Sequence, residues 1–507
     1  MKCPFGYTFK CISVIFCLLL PFGISAQENN LGLPFIRSFD KATYQAGTQN
    51  WAFEQDSLGR IYVANNEGVL VFDGTFWRLF PLPNKTITWS IKLDEQSRLF
   101  VGGQDEFGYF QINPFSDPIY HDLKPLIPEP HRQLTDVWDI VVQGNSVFFL
   151  SNSRVYQYDG TQIKVYTFEE EIPFLGAVNG NLYAQGLSGQ FYQFDGVVFD
   201  PAFKIERLSG DEVTGLIPLD IGFLILSLKH GIFQFTPGFE QYKISVWQPN
   251  LSAFLVRNRA YAGIKLQNGM LAIGTTLAGL LILDQEGRSL YLLGKGEGLQ
   301  KNAVLSLFED RNQGLWLGLD NGIDRVEIDG AFRQIIPDVE QGGQAYAATV
   351  HDQKLYLGTS NGLYCREWRA FYPTGTDLGF QKVNGTTGQV WQLDHIGNQL
   401  FLSHHDGLHQ IQGNSASKIS PFSGAWRLLE LKDHPGYALV GSYSGLHLFR
   451  KVGNGLQYIR TFKSFTESSR IMAQAADGTL WVAQPYRGIF KIQLASDLQT
   501  IAVQQYG

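Results

Sequence analysis

Cysteine is nearly absent. The chain of 507 residues holds four, and three of them (Cys3, Cys11 and Cys17) fall in its opening segment. Only Cys365 lies beyond it, so no internal disulfide can brace the chain once that segment is gone, and stability has to come from packing. Leu363-Tyr364-Cys365 reads as a strand, and Cys365 is expected to be a small buried apolar residue. Positive charge is also short: 40 Lys and Arg against 47 Asp and Glu give a net charge of −7. That leaves no basic footprint for nucleic acid, and direct nucleic-acid binding is not expected. No heptad or sustained helical pattern is present, which points to a nearly all-β chain. Catalytic signatures are missing too: there is no Gly-x-Ser-x-Gly, no His-Glu-x-x-His and no glycine-rich phosphate loop leading into a helix. Gly294-Lys295-Gly296-Glu297-Gly298 precedes a strand and reads as a linker. His404-His405-Asp406 comes nearest to a ligand cluster, but neighbouring strand residues point to opposite faces. No catalytic residue, metal or cofactor is expected.

Glycine and aromatic residues are plentiful, with 54 glycines and 14% Phe, Trp and Tyr. They fall into a repeat. In the segment 298–328, Val304, Ser306 and Phe308 alternate with Leu305, Leu307 and Glu309, the period of a strand. Asp310 to Gly314 is a turn cluster, Leu315-Trp316-Leu317-Gly318 a second strand, Asp320-Asn321-Gly322 a second turn, and a third strand starts at Ile323. The second-turn glycine recurs as Gly68, Gly108, Gly189, Gly231, Gly279, Gly322, Gly362, Gly407, Gly445 and Gly488, with Ser153 in the remaining place. Eleven copies at spacings of 36 to 48 residues match the length of four-stranded propeller blades. The expected fold is a seven-bladed β-propeller over 27–341 followed by a second, incomplete propeller of four repeats over 342–507. The boundary falls at the joint Gln341-Gly342-Gly343-Gln344, since seven blades lie within the closed-ring range.

Residues 1–26 read as a secretory signal peptide. Lys2 and Lys10 precede and flank an apolar run from Cys11 to Leu20, too short to span a membrane, and small residues lead to cleavage after Ala26. A retained anchor is the alternative. Beyond it, Pro34-Phe35-Ile36-Arg37-Ser38-Phe39 reads as a lone strand able to complete the last blade and lock the ring. A proline-rich stretch, 112–133, reads as the longest insertion. Such insertions map to loops on one face of a propeller. It and the segment 104–107 (Gln104, Asp105, Glu106, Phe107) are the candidate binding loops; no individual ligand-binding residue is assigned.

Trp51, Trp89, Trp138, Trp391 and Trp426 occupy one position, the start of the first strand, in five repeats. They could form an aromatic ring at the channel mouth suited to stacking on sugars, or pack in the core. The alternation favours packing, because Trp89 shares a face with Ile91 and Leu93, and Trp138 with Ile140 and Val142. Asp310 with Trp316, and Asp477 with Trp481, suggest structural Asp turns rather than chemistry.

The repeat Gly298-Leu299-x-x-Asn302-x-Val304-x-Ser306-Leu307-x-Glu309-Asp310, with Gly314-Leu315-Trp316-Leu317-Gly318 and Asn321-Gly322-Ile323-Asp324-Arg325, resembles the two-component regulator propeller repeat. Gln49-Asn50-Trp51 and Gly103-Gln104-Asp105-Glu106-Phe107-Gly108-Tyr109 resemble the opening blades of triple-tyrosine regulators. The resemblance implies a periplasmic sensor of two seven-bladed propellers, followed by a β-sandwich, a membrane helix and a cytoplasmic output. Many members of that family sense carbohydrate fragments. The four later repeats and the absence of an output imply a C-terminally truncated form, reaching the membrane only through the missing part. The expectation is a non-catalytic sensor region with a small-molecule or oligosaccharide ligand and a homodimeric arrangement. The rivals are a secreted propeller hydrolase or lyase acting on polysaccharide, and a protein-binding scaffold.

Overall fold

The computed structural model describes residues 32–113, 116–238, 241–338, 343–368 and 379–507. The expected signal peptide and the 341/342 boundary lie outside the described residues. Among the described residues, eleven antiparallel sheets follow one another in chain order. Their first, innermost strands are Asn50–Gln55, Thr88–Leu93, Asp139–Gln143, Phe174–Val178, Val213–Pro218, Ala260–Lys265 and Val304–Glu309 (blades 1 to 7). Ala345–His351, Val390–Ile396, Ala425–Glu430 and Ile471–Gln474 open blades 8 to 11. Each first strand of blades 1 to 7 packs against the next, and that of blade 7 returns to blade 1, so seven blades close a ring. Blades 8 to 11 adjoin in a row, and among the described residues no packing of similar extent returns from blade 11 to blade 8. The chain is a β-propeller protein: a seven-bladed ring followed by a second unit of four blades.

The core lies between blades. Leu315–Leu319 is buried at every position because both faces of the strand meet a neighbouring blade. One apolar cluster fills each interface. Tyr62, Val101 and Leu99 join blades 1 and 2, and Phe53, Leu70, Trp316 and Ile323 join blade 1 to blade 7. This also explains why second strands read as continuous apolar runs while first strands alternate.

The strand Leu33–Phe39 closes the ring as expected. It lies antiparallel to Ile323–Glu327 of blade 7, pairing Phe39 with Ile323 and Phe35 with Glu327, and so forms that blade's outer strand. Arg333–Gln334 adds a short fifth. A polar stitch reinforces the seam: the Asn50 side chain donates to the Gly322 carbonyl at 2.9 Å, and the Ser306 hydroxyl to the Asn50 carbonyl at 3.0 Å.

The second-turn glycine holds positive φ in nine repeats, from 84° at Gly189 to 146° at Gly362. At Gly68 a Cβ would also meet the Phe80 carbonyl at 2.5 Å. Gly108 differs from the expectation. It lies inside the strand Glu106–Asn113, and Asp105 takes the left-handed conformation at that turn, with φ 49°. Two further corrections concern connections. The stretch 112–133 is not all insertion: Ser116–Asp122 is the outer strand of blade 2, followed by 3-10 turns at Lys124–Leu126 and Glu129–His131. The longest spacing instead accommodates a helix, Pro249–Asn258, which seats Leu255 against blades 5 and 6.

The Asp turns are structural. Asp310 accepts from the Asn312 and Gly314 amides, from the Trp316 indole at 2.8 Å and from Arg325 Nε at 3.0 Å. Burial raises its pKa, but the Trp316, Gly314 and Arg325 hydrogen bonds outweigh that and hold it below the ordinary value. Asp56 and Asp94 repeat the device at the same turn of blades 1 and 2, binding Arg60 and Arg98. Asp310→Ala strands the buried Trp316 indole N–H and the turn amides, while Arg325 keeps Glu327 at 2.8 Å, and is expected to cost about 3 kcal/mol. Chemical denaturation of the single variant measures it.

Candidate aromatic channel mouths

The five tryptophans do not behave as the alternation suggested. In blade 1 the register steps from Asn50 to Ala52, in blade 2 from Thr88 to Ser90, in blade 9 from Val390 to Gln392 and in blade 10 from Ala425 to Arg427. Each step omits one residue, and that residue is Trp51, Trp89, Trp391 or Trp426. A β-bulge leaves its extra residue unpaired and re-aims the side chain. The same step at Tyr261 and Tyr346 places tyrosines there. Trp138 stands just before its strand and is 45% exposed. The rings pack on one another at the strand starts, half-buried except for Trp138, and Trp51 also rests on the apolar cluster between blades 1 and 2, so packing accounts for part of their role.

In the first ring, Trp51 meets Trp89 edge-on at 4.8 Å, and Trp89 meets Trp138 at 4.6 Å. A second turn and the lead-in to the next blade fix the rings. Trp51 Nε1 donates to Asn66 Oδ1 at 2.8 Å, and Trp89 Nε1 to Asp136 Oδ1 at 2.8 Å. Asp136 bridges by backbone to Gln104, so the candidate loop 104–107 borders this mouth. Glu106 turns inward, buried, and accepts from Tyr120. The rest of the proline-rich connection packs its Leu123, Ile127 and Leu134 into the core between blades 2 and 3.

The second unit repeats the arrangement. Tyr346 meets Trp391 at 5.0 Å, and Trp391 meets Trp426 at 4.7 Å. Tyr443 packs on Trp426 at 4.8 Å, and its hydroxyl accepts from Trp391 Nε1 at 2.9 Å and lies 3.1 Å from His405 Nδ1. His404 and His405 part as expected: His404 is buried, while His405 is exposed at the mouth. Among the described residues no group of three His, Cys, Asp or Glu could hold a metal. Cys365 is buried, and burial raises its pKa. A cavity of about 470 Å³ opens between the inner strands of blades 9 and 10, lined by Asp394, His395, Arg427 and Glu430. No sequence signal marked it, because its residues come from two repeats.

Titratable groups along the inner strands are mostly spoken for. Glu54 pairs with Lys92 at 2.5 Å; burial raises its pKa. Asp139 accepts from the Leu175 amide and Asp394 from the Leu428 amide, each at 3.0 Å from the next blade, and burial pushes both to about 6. Burial pushes His404 and His447 down to about 4. A base depressed on folding takes up protons first in the unfolded chain. Its contribution is complete above about pH 6.5 and is lost as pH falls toward 4. The two raised carboxylates run the other way, contributing below about pH 4 and losing that as pH rises through 6. His447→Gln is expected to flatten the acid destabilisation between pH 6.5 and 4.5, on the order of 2 kcal/mol, in urea midpoints measured at both values. Equal slopes would refute this.

This architecture defines the class: a bladed propeller protein whose two units each carry an aromatic mouth. No protein-family model and no curated protein matches the chain. Among solved structures, it is similar to the extracellular domain of "the putative hybrid two component system BT3049 from B. thetaiotaomicron", with a TM-score of 0.64 and 15% identity, over 94% of this chain and 67% of that one. The extracellular domain of "the putative one component system BT4673" from the same organism matches over 94% of this chain and 74% of that one, at 15% identity and a TM-score of 0.46. The first match establishes a shared fold, the one that the repeat resemblance implied. No helix among the described residues is long and apolar enough to cross a membrane.

Proposed function

We propose that this chain is the extracytoplasmic, non-catalytic sensing region of a signal-transduction regulator, and that it takes a carbohydrate at its aromatic mouths. The observation that carries the reading is the continuous series of aromatic rings at the strand starts, Trp51 on Trp89 on Trp138 and Tyr346 on Trp391 on Trp426, with ring centres 4.6 to 5.0 Å apart. The bulge itself belongs to the blade, since it also sets out Thr214 in blade 5 and Leu305 in blade 7; what points to a ligand is the aromatic residue placed at it. Flat indoles offer large rigid contact area at low entropic cost, while polar groups beside them, Asn66 and His405 in second turns and Asp136 in the lead-in to blade 3, fix orientation. The fold shared with an extracellular domain of a two-component system supports a sensor. Export through residues 1–26, a periplasmic location and attachment through a further C-terminal part belong to the same reading, as does a dimer whose arrangement shifts on binding. Glycoside hydrolysis needs one carboxylate free to act as acid and another placed across the sugar. Glu54 and Asp139 are held by neighbouring blades, which weighs toward binding without cleavage. Isothermal titration of the full chain with neutral and acidic oligosaccharides tests the proposal: saturable binding with the sugar recovered intact is expected. Release of shortened products would favour the polysaccharide-cleaving alternative, and no binding to any saccharide would refute the reading.

A further inference from the structure

The two mouths differ in charge. In the first ring the indoles are fixed by Asn66 and Asp136, an amide and a carboxylate. In the second unit the series Tyr346, Trp391, Trp426 continues into blade 11 at Arg470. Glycine contacts define that equivalence. A Cβ on Gly358 of blade 8 would meet Val390, the residue before Trp391, and one on Gly441 of blade 10 would meet Ser469, the residue before Arg470. The Arg470 guanidinium lies 4.8 Å from the Trp426 ring centre and 5.7 Å from that of Trp391. Arg470 is exposed. Among the described residues no carboxylate or carbonyl accepts from it. Arg60, Arg98 and Arg325 also lie on aromatic rings, and each hands its guanidinium to an aspartate. Arg37 lacks such a partner too, but it rides on the outer strand of blade 7, away from either mouth.

We infer that the mouth of blades 8 to 11 selects a saccharide bearing an anionic group, a carboxylate or a sulfate ester, and that Arg470 is the residue that reads it. The inference rests on the carbohydrate reading above and names the ligand class for this site. Two indoles hold the guanidinium plane in place without using its N–H donors, so its fork stays open to a planar or tetrahedral oxyanion. Stacking lowers the entropy lost when that fork closes on a ligand. The Trp426 indole donates to Ser468 and the Trp391 indole to Tyr443, so the aromatic frame around the fork is itself fixed.

The test titrates the full chain with trigalacturonate, its fully methyl-esterified form and a sulfated disaccharide. Arg470→Gln and Arg470→Lys are compared with the parent. The expected result is binding of one acidic probe that falls about 10- to 100-fold in Arg470→Gln, the scale of a hydrogen-bonded charge pair. Arg470→Lys should recover part of it, and added salt should weaken the parent but not the Gln variant. Trigalacturonate alone responding assigns a uronate, and the sulfated probe alone assigns a sulfate ester. Equal binding of acid and methyl ester, unchanged in Arg470→Gln, overturns the inference and leaves the carbohydrate reading standing. No binding of any probe, with neutral oligosaccharides also silent, overturns both. Arg470 is exposed at a strand start, so its variants are expected to fold, and near-ultraviolet circular dichroism checks that they do.

Discussion

Excision of residues 32–39 is expected to open the first ring. Those residues supply the outer strand of blade 7, and Phe39 sits at the seam with blade 1. Its ring stacks on Trp316 at 5.7 Å and meets Phe72 and Trp77 edge-on at 5.3 and 5.4 Å. Phe39→Ala alone should cost about 3–5 kcal/mol, the usual range for a buried phenylalanine. Excision should cost more, because it also uncovers the edge of Ile323–Glu327 and invites association through it. The expected reading is a large fall in the unfolding midpoint, with a tendency to self-associate. A synthetic peptide of residues 32–39 added in trans should restore part of the loss. An unchanged midpoint after excision would show that the interface between blades 1 and 7 closes the ring without the strand.

Replacement of Trp89 by alanine is expected to separate binding from stability. Trp89 lies between Trp51 and Trp138 and is only half-buried, so folding should survive. Saccharide affinity at the first mouth should fall by about 30-fold or more, the scale of a central aromatic contact. Trp316→Ala is the opposing control. That ring is 3% exposed and belongs to the seam between blades 7 and 1. Its loss should lower stability and leave the affinity of the surviving folded protein unchanged. Equal affinity losses in the two variants would mean that the mouth acts only as packing.

The blade repeat was legible because it is built from local physics. Turns need glycine at positive φ, and second strands need apolar residues on both faces because blades stack on both sides. The ring-closing role of Pro34 to Phe39 followed from a strand without a hairpin partner. The mouths were legible only in part, for a specific reason. Period-2 alternation assumes an unbroken ladder, and the bulges at Trp51, Trp89, Trp391 and Trp426 insert one residue and reverse the parity at the strand start. By that parity Trp89 shared a face with Ile91; in the structure it does not belong to the ladder at all. Arg470 was invisible to an aromatic search because it is a cation in an aromatic series. The outer strand Ser116–Asp122 was hidden by Pro118, which an edge strand tolerates and a central strand does not.

The most direct test of the account is a titration of the full chain with an oligosaccharide while the indole N–H signals of its ten tryptophans are followed by nitrogen-15 NMR. Shifts are expected to be confined to mouth residues, Trp51, Trp89 and Trp138 or Trp391 and Trp426, with the buried Trp316 signal still. Binding that moves Trp316 and leaves the mouth signals in place would contradict this.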